Sequence, residues 1–140
     1  MGRILGVDYG RRRVGIALSD ETAMLAMPLL TVEVTDVAGA IEAVKQIAAE
    51  RRVSRIVVGL PLNMDGSRGP MAAEVDDFVK RLAEAAALPV DTYDERLSSG
   101  LVERVLVDAD LSRARRKTVR DKLAAQVILQ SYIDSHDQSA

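Results

Sequence analysis

Arg3-Ile4-Leu5-Gly6-Val7-Asp8-Tyr9-Gly10-Arg11-Arg12-Arg13-Val14-Gly15-Ile16-Ala17-Leu18 is the stretch from which the rest of the chain can be read. Two runs rich in Ile, Leu and Val, Arg3 to Tyr9 and Val14 to Leu18, flank Gly10-Arg11-Arg12-Arg13. Apolar runs separated by a short Gly-containing turn predict a β-hairpin. Asp8 falls at the end of the first strand, among residues that are apolar or small, where burying a carboxylate without a partner would be costly. Either it sits at an exposed strand end, turning with Tyr9 and Gly10, or it is held there for chemistry.

Outward from the hairpin, Leu29 to Val34 follows a Pro and predicts a third strand beside the first two. Asp36 is placed to cap a helix whose Val37, Ile41, Val44 and Ala48 recur at helical spacing, with its end near Arg52. Arg55 to Leu60 is short and almost wholly apolar, as a central strand covered on both faces should be. Pro61 to Gly69 carries turn residues, Pro70 suits a first helical position, and Met71, Val75, Phe78 and Leu82 form one helical stripe. Pro89 to Asp94 predicts a last strand, and two helices follow, about Ser98 to Val107 and Thr118 to Ser135. The order βββαβαβαα predicts a three-layer α/β fold. Its mixed five-stranded sheet has three antiparallel strands first, then parallel strands, with helices on both faces. No repeat, low-complexity tract or linker divides the chain, so a single domain is expected over residues 1–140, fraying after about 135.

Composition narrows the chemistry. The absence of Cys excludes disulfides, thiolate metal sites and cysteine nucleophiles. The single His, His136, lies in a polar tail, which excludes histidine triads and histidine-rich metal sites, so carboxylates must do any acid–base work. Three Tyr and one Phe are too few for a base-stacking platform. The apolar stretches are too short to span a membrane, and a charge interrupts the N-terminus within a few residues, unlike a signal peptide. A cytoplasmic protein with no membrane partner is the expectation.

Two more acids stand out beside Asp8. Glu95 lies just past the C-terminal end of the last strand, where open α/β sheets place their ligands. Asp121 shares a helix face with Ala125, Ile128 and Tyr132, an apolar stripe. Plainer roles exist for both: an ion pair of Glu95 with Arg96, and a helix-dipole contact for Asp121. If the three converge, they form a site for hard cations, Mg2+ or Mn2+. A pair of such ions roughly 4 Å apart can activate water and stabilise the leaving oxygen in phosphodiester cleavage.

Basic residues cluster beside these acids. Arg113, Arg115, Arg116, Lys117, Arg120 and Lys122 oppose the dipole at a helix start, a penalty that a phosphate backbone would turn into attraction. Arg11, Arg12 and Arg13 add a second patch near Asp8. A solvated charged face is the plainer account of both. The glycines of Gly59 to Ser67 permit close backbone approach, and Asn63, Asp65 and Ser67 can bond to the backbone or to a substrate.

Gly6-Val7-Asp8-Tyr9-Gly10 with Val14-Gly15-Ile16-Ala17, Gly59-Leu60-Pro61-Leu62-Asn63-Met64-Asp65-Gly66-Ser67, Asp94-Glu95-Arg96-Leu97-Ser98, and Asp121-Lys122-Leu123-Ala124-Ala125 with Ile128-Leu129-Gln130-Ser131-Tyr132 together resemble the YqgF/RuvX family. The resemblance runs from Gly6 to about Asp134. It implies an RNase H-like fold related to Holliday junction resolvases, and a bacterial cytoplasmic nuclease that trims the 5′ end of precursor 16S ribosomal RNA. The family's acidic positions fall on Asp8, Glu95 and Asp121, which are thereby expected as catalytic residues and metal ligands, with water as the nucleophile. Arg11, Arg12, Arg13, Asn63, Ser67, Arg96, Arg113, Arg115, Arg116 and Lys117 are the candidates for nucleic-acid contact. Ser99, where Thr is common, and Arg120 depart from the family pattern around the acids. The substrate is expected to be precursor rRNA, with branched DNA as the alternative, and the protein a monomer or homodimer. Two rival functions use the same residues. One is a nucleotide phosphotransferase, for which the chain is short and lacks the phosphate-binding glycine motifs. The other is a non-catalytic nucleic-acid-binding or ribosome-assembly factor.

Overall fold

The computed structural model describes residues 2–97 and 113–136. The hairpin forms as β1 (Arg3–Asp8) and β2 (Arg13–Ser19), and β3 (Ala26–Glu33) continues it. Then come α1 (Val37–Glu50), β4 (Val53–Leu60), α2 (Pro70–Ala86), β5 (Val90–Asp94), a single 3₁₀ turn (Glu95–Leu97) and α3 (Arg113–His136). The sheet order is β3-β2-β1-β4-β5. β1 pairs antiparallel with β2 and parallel with β4, β2 pairs antiparallel with β3, and β4 pairs parallel with β5. This is the mixed five-stranded sheet that the sequence predicts.

Alternation along each strand sorts the side chains into two layers. Leu5, Val7, Val14, Ile16, Ile56, Val58 and Leu60 pack against Ala40, Ile41, Val44 and Ala48 of α1 and Ala72, Val75, Phe78 and Leu82 of α2. On the other face, Ala17 and Val57 meet Ala125, Ile128, Leu129, Tyr132 and Ile133 of α3. The Asp36 carboxylate accepts the Gly39 N–H at 2.7 Å and starts α1, and Pro70 opens α2. In α2, Ala72 rather than Met71 is the fully buried member of the stripe.

Four boundaries differ from expectation. β3 begins at Ala26 rather than Leu29 and so contains Pro28. It is an edge strand, and its register with β2 shifts where Pro28 pairs with Ala17, so the missing N–H is tolerated. The start of β3 is also held from α3: Gln130 Oε1 accepts the Ala26 N–H at 2.8 Å, and Gln126 Nε2 donates to the Ala26 carbonyl at 3.0 Å. β4 begins at Val53, two residues before Arg55. α3 begins at Arg113 rather than Thr118, because Arg, Ala and Lys are strong helix formers and extend it through the basic run. It continues through His136, one residue past the predicted stop. The helix predicted over Ser98 to Val107 and the last four residues lie outside the described residues.

The α3 face of the sheet is unusually free of side chains. A Cβ on Gly6 would lie 2.7 Å from the Leu129 Cβ, and one on Gly59 would lie 2.5 Å from the Ile128 Cδ1. A Cβ on Gly15 would collide with the backbone carbonyl of Asp121. That obstacle is backbone and cannot rotate away, so Gly15→Ala must push α3 off the sheet. The expected cost is about 1–3 kcal/mol, the usual scale of overpacking. Urea unfolding of the variant checks it, and wild-type stability would show that α3 is not seated as described.

Candidate active site

A short row of residues crosses the middle of the sheet on the α3 face. Asp8 at the end of β1 is the register partner of Gly15 in β2. On the other side Val7 pairs with Val58, which puts Gly59 of β4 next to Asp8. The row therefore reads Gly15, Asp8, Gly59, one carboxylate between two positions without side chains. Each gap is filled from elsewhere in the chain. The Glu95 Cγ and Cδ lie 2.9 and 3.0 Å from where a Gly59 Cβ would be, and the Asp121 backbone lies over Gly15. Glu95 arrives because β5 pairs with β4 and ends at Asp94, with the 3₁₀ turn beginning immediately after. Asp121 arrives on α3, eight residues past the helix start, too deep for the helix-dipole role.

Asp8 is partly open to solvent, yet its carboxyl is closely surrounded. Burial raises its pKa well above the ordinary aspartate range, and the nearby charges of Glu95 and Asp121 raise it further. Its side chain is hydrogen bonded to that of Glu95. Glu95 is itself raised by burial and by Asp94, while the bond from Asp8 acts in the opposite direction.

Asp121 is held differently. Its Oδ2 accepts a hydrogen bond from Arg13 Nε at 2.7 Å, within an ion pair whose side chains are 17% and 38% exposed. Among the described residues, no group of three or more Asp, Glu or His is gathered closely enough to hold one metal ion. The structure brings Asp8 and Glu95 together as a carboxyl pair, with Asp121 beside Asp8 and paired with Arg13.

The other candidates divide. Arg11 lies on the opposite side: Tyr9 stacks on Phe78 of α2 at 4.4 Å, and Arg11 Nε donates to both Glu74 oxygens at 3.1 and 2.8 Å. Arg12 is exposed in the turn, and its carbonyl accepts the Val34 N–H at 2.9 Å. Arg13, expected in the turn, is the first residue of β2, on the α3 face. Asn63 and Ser67 face each other across one loop, with Asn63 Nδ2 donating to Ser67 Oγ at 3.0 Å and the Ser67 N–H and hydroxyl both donating to Asp65 Oδ1. Arg96 pairs with both oxygens of Asp94 rather than with Glu95, and its Nη1 donates to the Met64 carbonyl at 3.1 Å, tying the loop to the site. Arg113, Arg115, Arg116 and Lys117 occupy the first turns of α3, and their side chains lie outside the described residues.

Sequence reasoning missed Gly15 and Gly59 as the residues that make room for the acids. The signal was present: strand alternation puts Gly15 on the same face as Arg13 and Ala17. It also missed Asp94, whose charge acts on Glu95 and is held by Arg96.

Comparison with known proteins agrees with this architecture. A protein from Syntrophomonas wolfei named "Putative pre-16S rRNA nuclease" is 46% identical over 132 residues, covering 94% of each chain. One of the same name from Thermoanaerobacter pseudethanolicus is 46% identical over 134 residues, covering 95% of this chain and 96% of that one. Among solved structures, Thermus thermophilus RuvC in complex with a Holliday junction substrate superposes with a TM-score of 0.64 at 15% identity, covering 100% of this chain and 98% of that one. The fowlpox virus resolvase in complex with Holliday junction DNA gives 0.58 at 11% identity, covering 95% and 97%. The structural likenesses show the fold, which is RNase H-like. The family model described as "RuvX: Holliday junction resolvase" matches residues 2–135, and the chain belongs to that family.

Proposed function

We propose that this protein is a nuclease that hydrolyses phosphodiester bonds with the help of a divalent cation, Mg2+ or Mn2+, held by Asp8, Glu95 and Asp121. The observation that carries this reading is the pair itself: two carboxyls pressed together in a glycine-lined gap, with a third acid, Asp121, close enough to act on Asp8. Carboxylate oxygens are the donors that hard cations prefer. Acids buried beside one another, each carboxyl made harder to ionise by its surroundings, mark where a dication's charge would be welcome, so these residues fit the group. When bound, the cation supplies activation of a water nucleophile and stabilisation of the leaving oxygen.

This chain's own residues do the rest. Asp8 and Glu95 orient the reacting end of the site, and Asp121 adds negative charge behind them. Arg96 and Asp94 brace the loop of Asn63 to Ser67 against Glu95, forming a substrate-side wall. Arg12, exposed in the turn, and the basic residues Arg113, Arg115, Arg116 and Lys117 at the start of α3 are the candidates for phosphate contact, since positive charge draws in a polyanion. The names of the relatives make the 5′ end of precursor 16S rRNA the first substrate to test, within ribosome biogenesis. The family description favours a second reading, a four-way DNA junction, which needs two active sites in a symmetric dimer. No helix among the described residues is long and apolar enough to cross a membrane, in keeping with work in the cytoplasm. The whole of residues 1–140 is taken to act as one domain.

Cleavage assays on precursor 16S rRNA and on a four-way junction, beside a measurement of solution mass, separate the two substrates. Asp8→Asn and Glu95→Gln should each lose at least about a hundredfold in rate, the scale of losing one group that stabilises the transition state. Asp121→Asn should lose activity as well. Folded variants that keep full metal-dependent cleavage would overturn the assignment, and a wild type that binds RNA without cutting it would favour a binding factor.

The charge cluster also predicts a pH dependence in chelator. An acid whose pKa is raised by folding holds its proton more tightly in the folded state than in the unfolded chain, so stability falls as pH rises through that window. For Asp8 the window opens at the ordinary value of 3.8 and extends upward. Asp8→Asn removes this charge and should melt higher than wild type at neutral pH, the gap closing as pH falls toward 4. Added Mn2+ should stabilise wild type and not the variant. Thermal melts across pH in EDTA check this, and a neutral-pH wild type as stable as the variant would contradict the strained pair.

A further inference from the structure

Among the described residues, four large apolar side chains are exposed: Met24, Leu25, Met27 and Met64. The first three lie around the start of β3, where Ala26 pairs with Ser19 at the end of the sheet away from Asp8. Met64 stands apart from them, 88% exposed, on the loop that leaves β4 at the Asp8 end. That loop is tightly built. The Gly66 N–H donates to the Asn63 carbonyl at 2.8 Å, and the Asn63 N–H donates to the Ser67 carbonyl at 2.9 Å. Gly66 has a φ of +88°, a conformation that favours glycine. Met64 is thus the second residue of a closed turn. Its carbonyl accepts from Nη1 of Arg96, the neighbour of Glu95, at 3.1 Å. Asn63, Asp65 and Ser67 bond to one another through their side chains, so the group this loop holds out beside the site is a thioether. The aromatic rings are engaged elsewhere: Tyr9 with Phe78, Tyr132 with His136, and Tyr93 in the core beneath α3.

We propose that Met64 packs against an unstacked nucleobase of the substrate, next to the phosphodiester that is cleaved. This rests on the reading of the protein as a nuclease. A thioether side chain is flexible and polarisable, and makes favourable contacts with aromatic rings of varied shape. A nucleobase presents its ring to such a group once it has left its stack, whereas bases inside a continuous duplex are covered by their neighbours. The substrate class is therefore a strand with an unstacked base beside the cleaved bond, rather than continuous duplex.

The test uses the full chain with its five methionine methyl groups labelled with 13C, in EDTA so that nothing is cut. It is titrated with a single-stranded RNA oligonucleotide carrying the 5′ precursor sequence of 16S rRNA, and with the same strand annealed into a duplex. The Met64 resonance is the one lost in Met64→Ala. Single strand should move it upfield, the ring-current effect of a base lying over it, and leave Met24 and Met27 in place. Met64→Ala should melt like wild type, since the side chain is exposed, yet bind single strand about three- to tenfold more weakly. Met64→Leu, still apolar, should recover most of that loss, and Met24→Ala should lose nothing. A Met64 methyl that stays in place while wild type binds, an equal response to duplex, or a Met64→Ala protein of wild-type affinity overturns the proposal and leaves the nuclease reading standing. A wild type that binds neither probe overturns it together with the reading of precursor rRNA as substrate.

Discussion

The seating of α3 on glycine is the contact on which the rest of the structure depends. A helix packed on a sheet is ordinarily held off by the strand side chains beneath it. Here Gly6, Gly15 and Gly59 remove them along three adjacent strands, and Leu129, the Asp121 backbone and Ile128 descend into the space. The same omission makes the site. Asp8 is the one side chain between Gly15 and Gly59, and the flanking gaps admit Glu95 from one side and the Asp121 backbone from the other. Packing and chemistry are thus set by the same absent methyl groups.

A helix so close to the sheet must also be held in register along its length, because Asp121 is near one end and a small tilt would move it. The far end carries a polar anchor suited to this. Tyr132 donates its hydroxyl to Asp91 at 2.5 Å, and Arg55 Nη1 donates to the same oxygen at 2.7 Å. Burial, together with the bond to Asp91, pushes the tyrosine up to about 12, so it stays a donor at any physiological pH. Tyr132 also stacks on His136 one turn further on, at 4.0 Å. Between the two ends, Gln126 and Gln130 grip the backbone of Ala26. The helix is fixed to β5, β4 and β3 by directional bonds and to β1 and β2 by close packing.

Much of this was legible in the sequence, for physical reasons that can be named. The hairpin, α1 with its Asp36 cap and α2 with Pro70 are local features, written in alternation, helical spacing and backbone chemistry. Asp8, Glu95 and Asp121 could be singled out because each lies where a structural carboxylate is costly or a ligand is usual. Their relation to one another was not legible, since it depends on strand register. The step that matters is the pairing of Asp8 with Gly15, which carries Asp121 to its place, and no local rule determines it. The early start of β3 fails for a similar reason: its first residue is stabilised by glutamines about a hundred positions away.

The arginine run shows most plainly where reading by composition stops. Arg11, Arg12 and Arg13 are consecutive and look like one patch for phosphate. In the fold, Arg11 is drawn to Glu74 on the α2 side, Arg12 is left in the turn, and Arg13 enters β2 and reaches Asp121 on the α3 face. Strand alternation divides them, since Arg13 belongs to the period that includes Gly15 and Ala17. Three identical charges thus meet three different environments: an exposed ion pair of little energetic weight, open solvent, and a shielded carboxylate beside two strained acids. Only the last is placed to alter the charge of the site, and its position one residue inside the strand decides that.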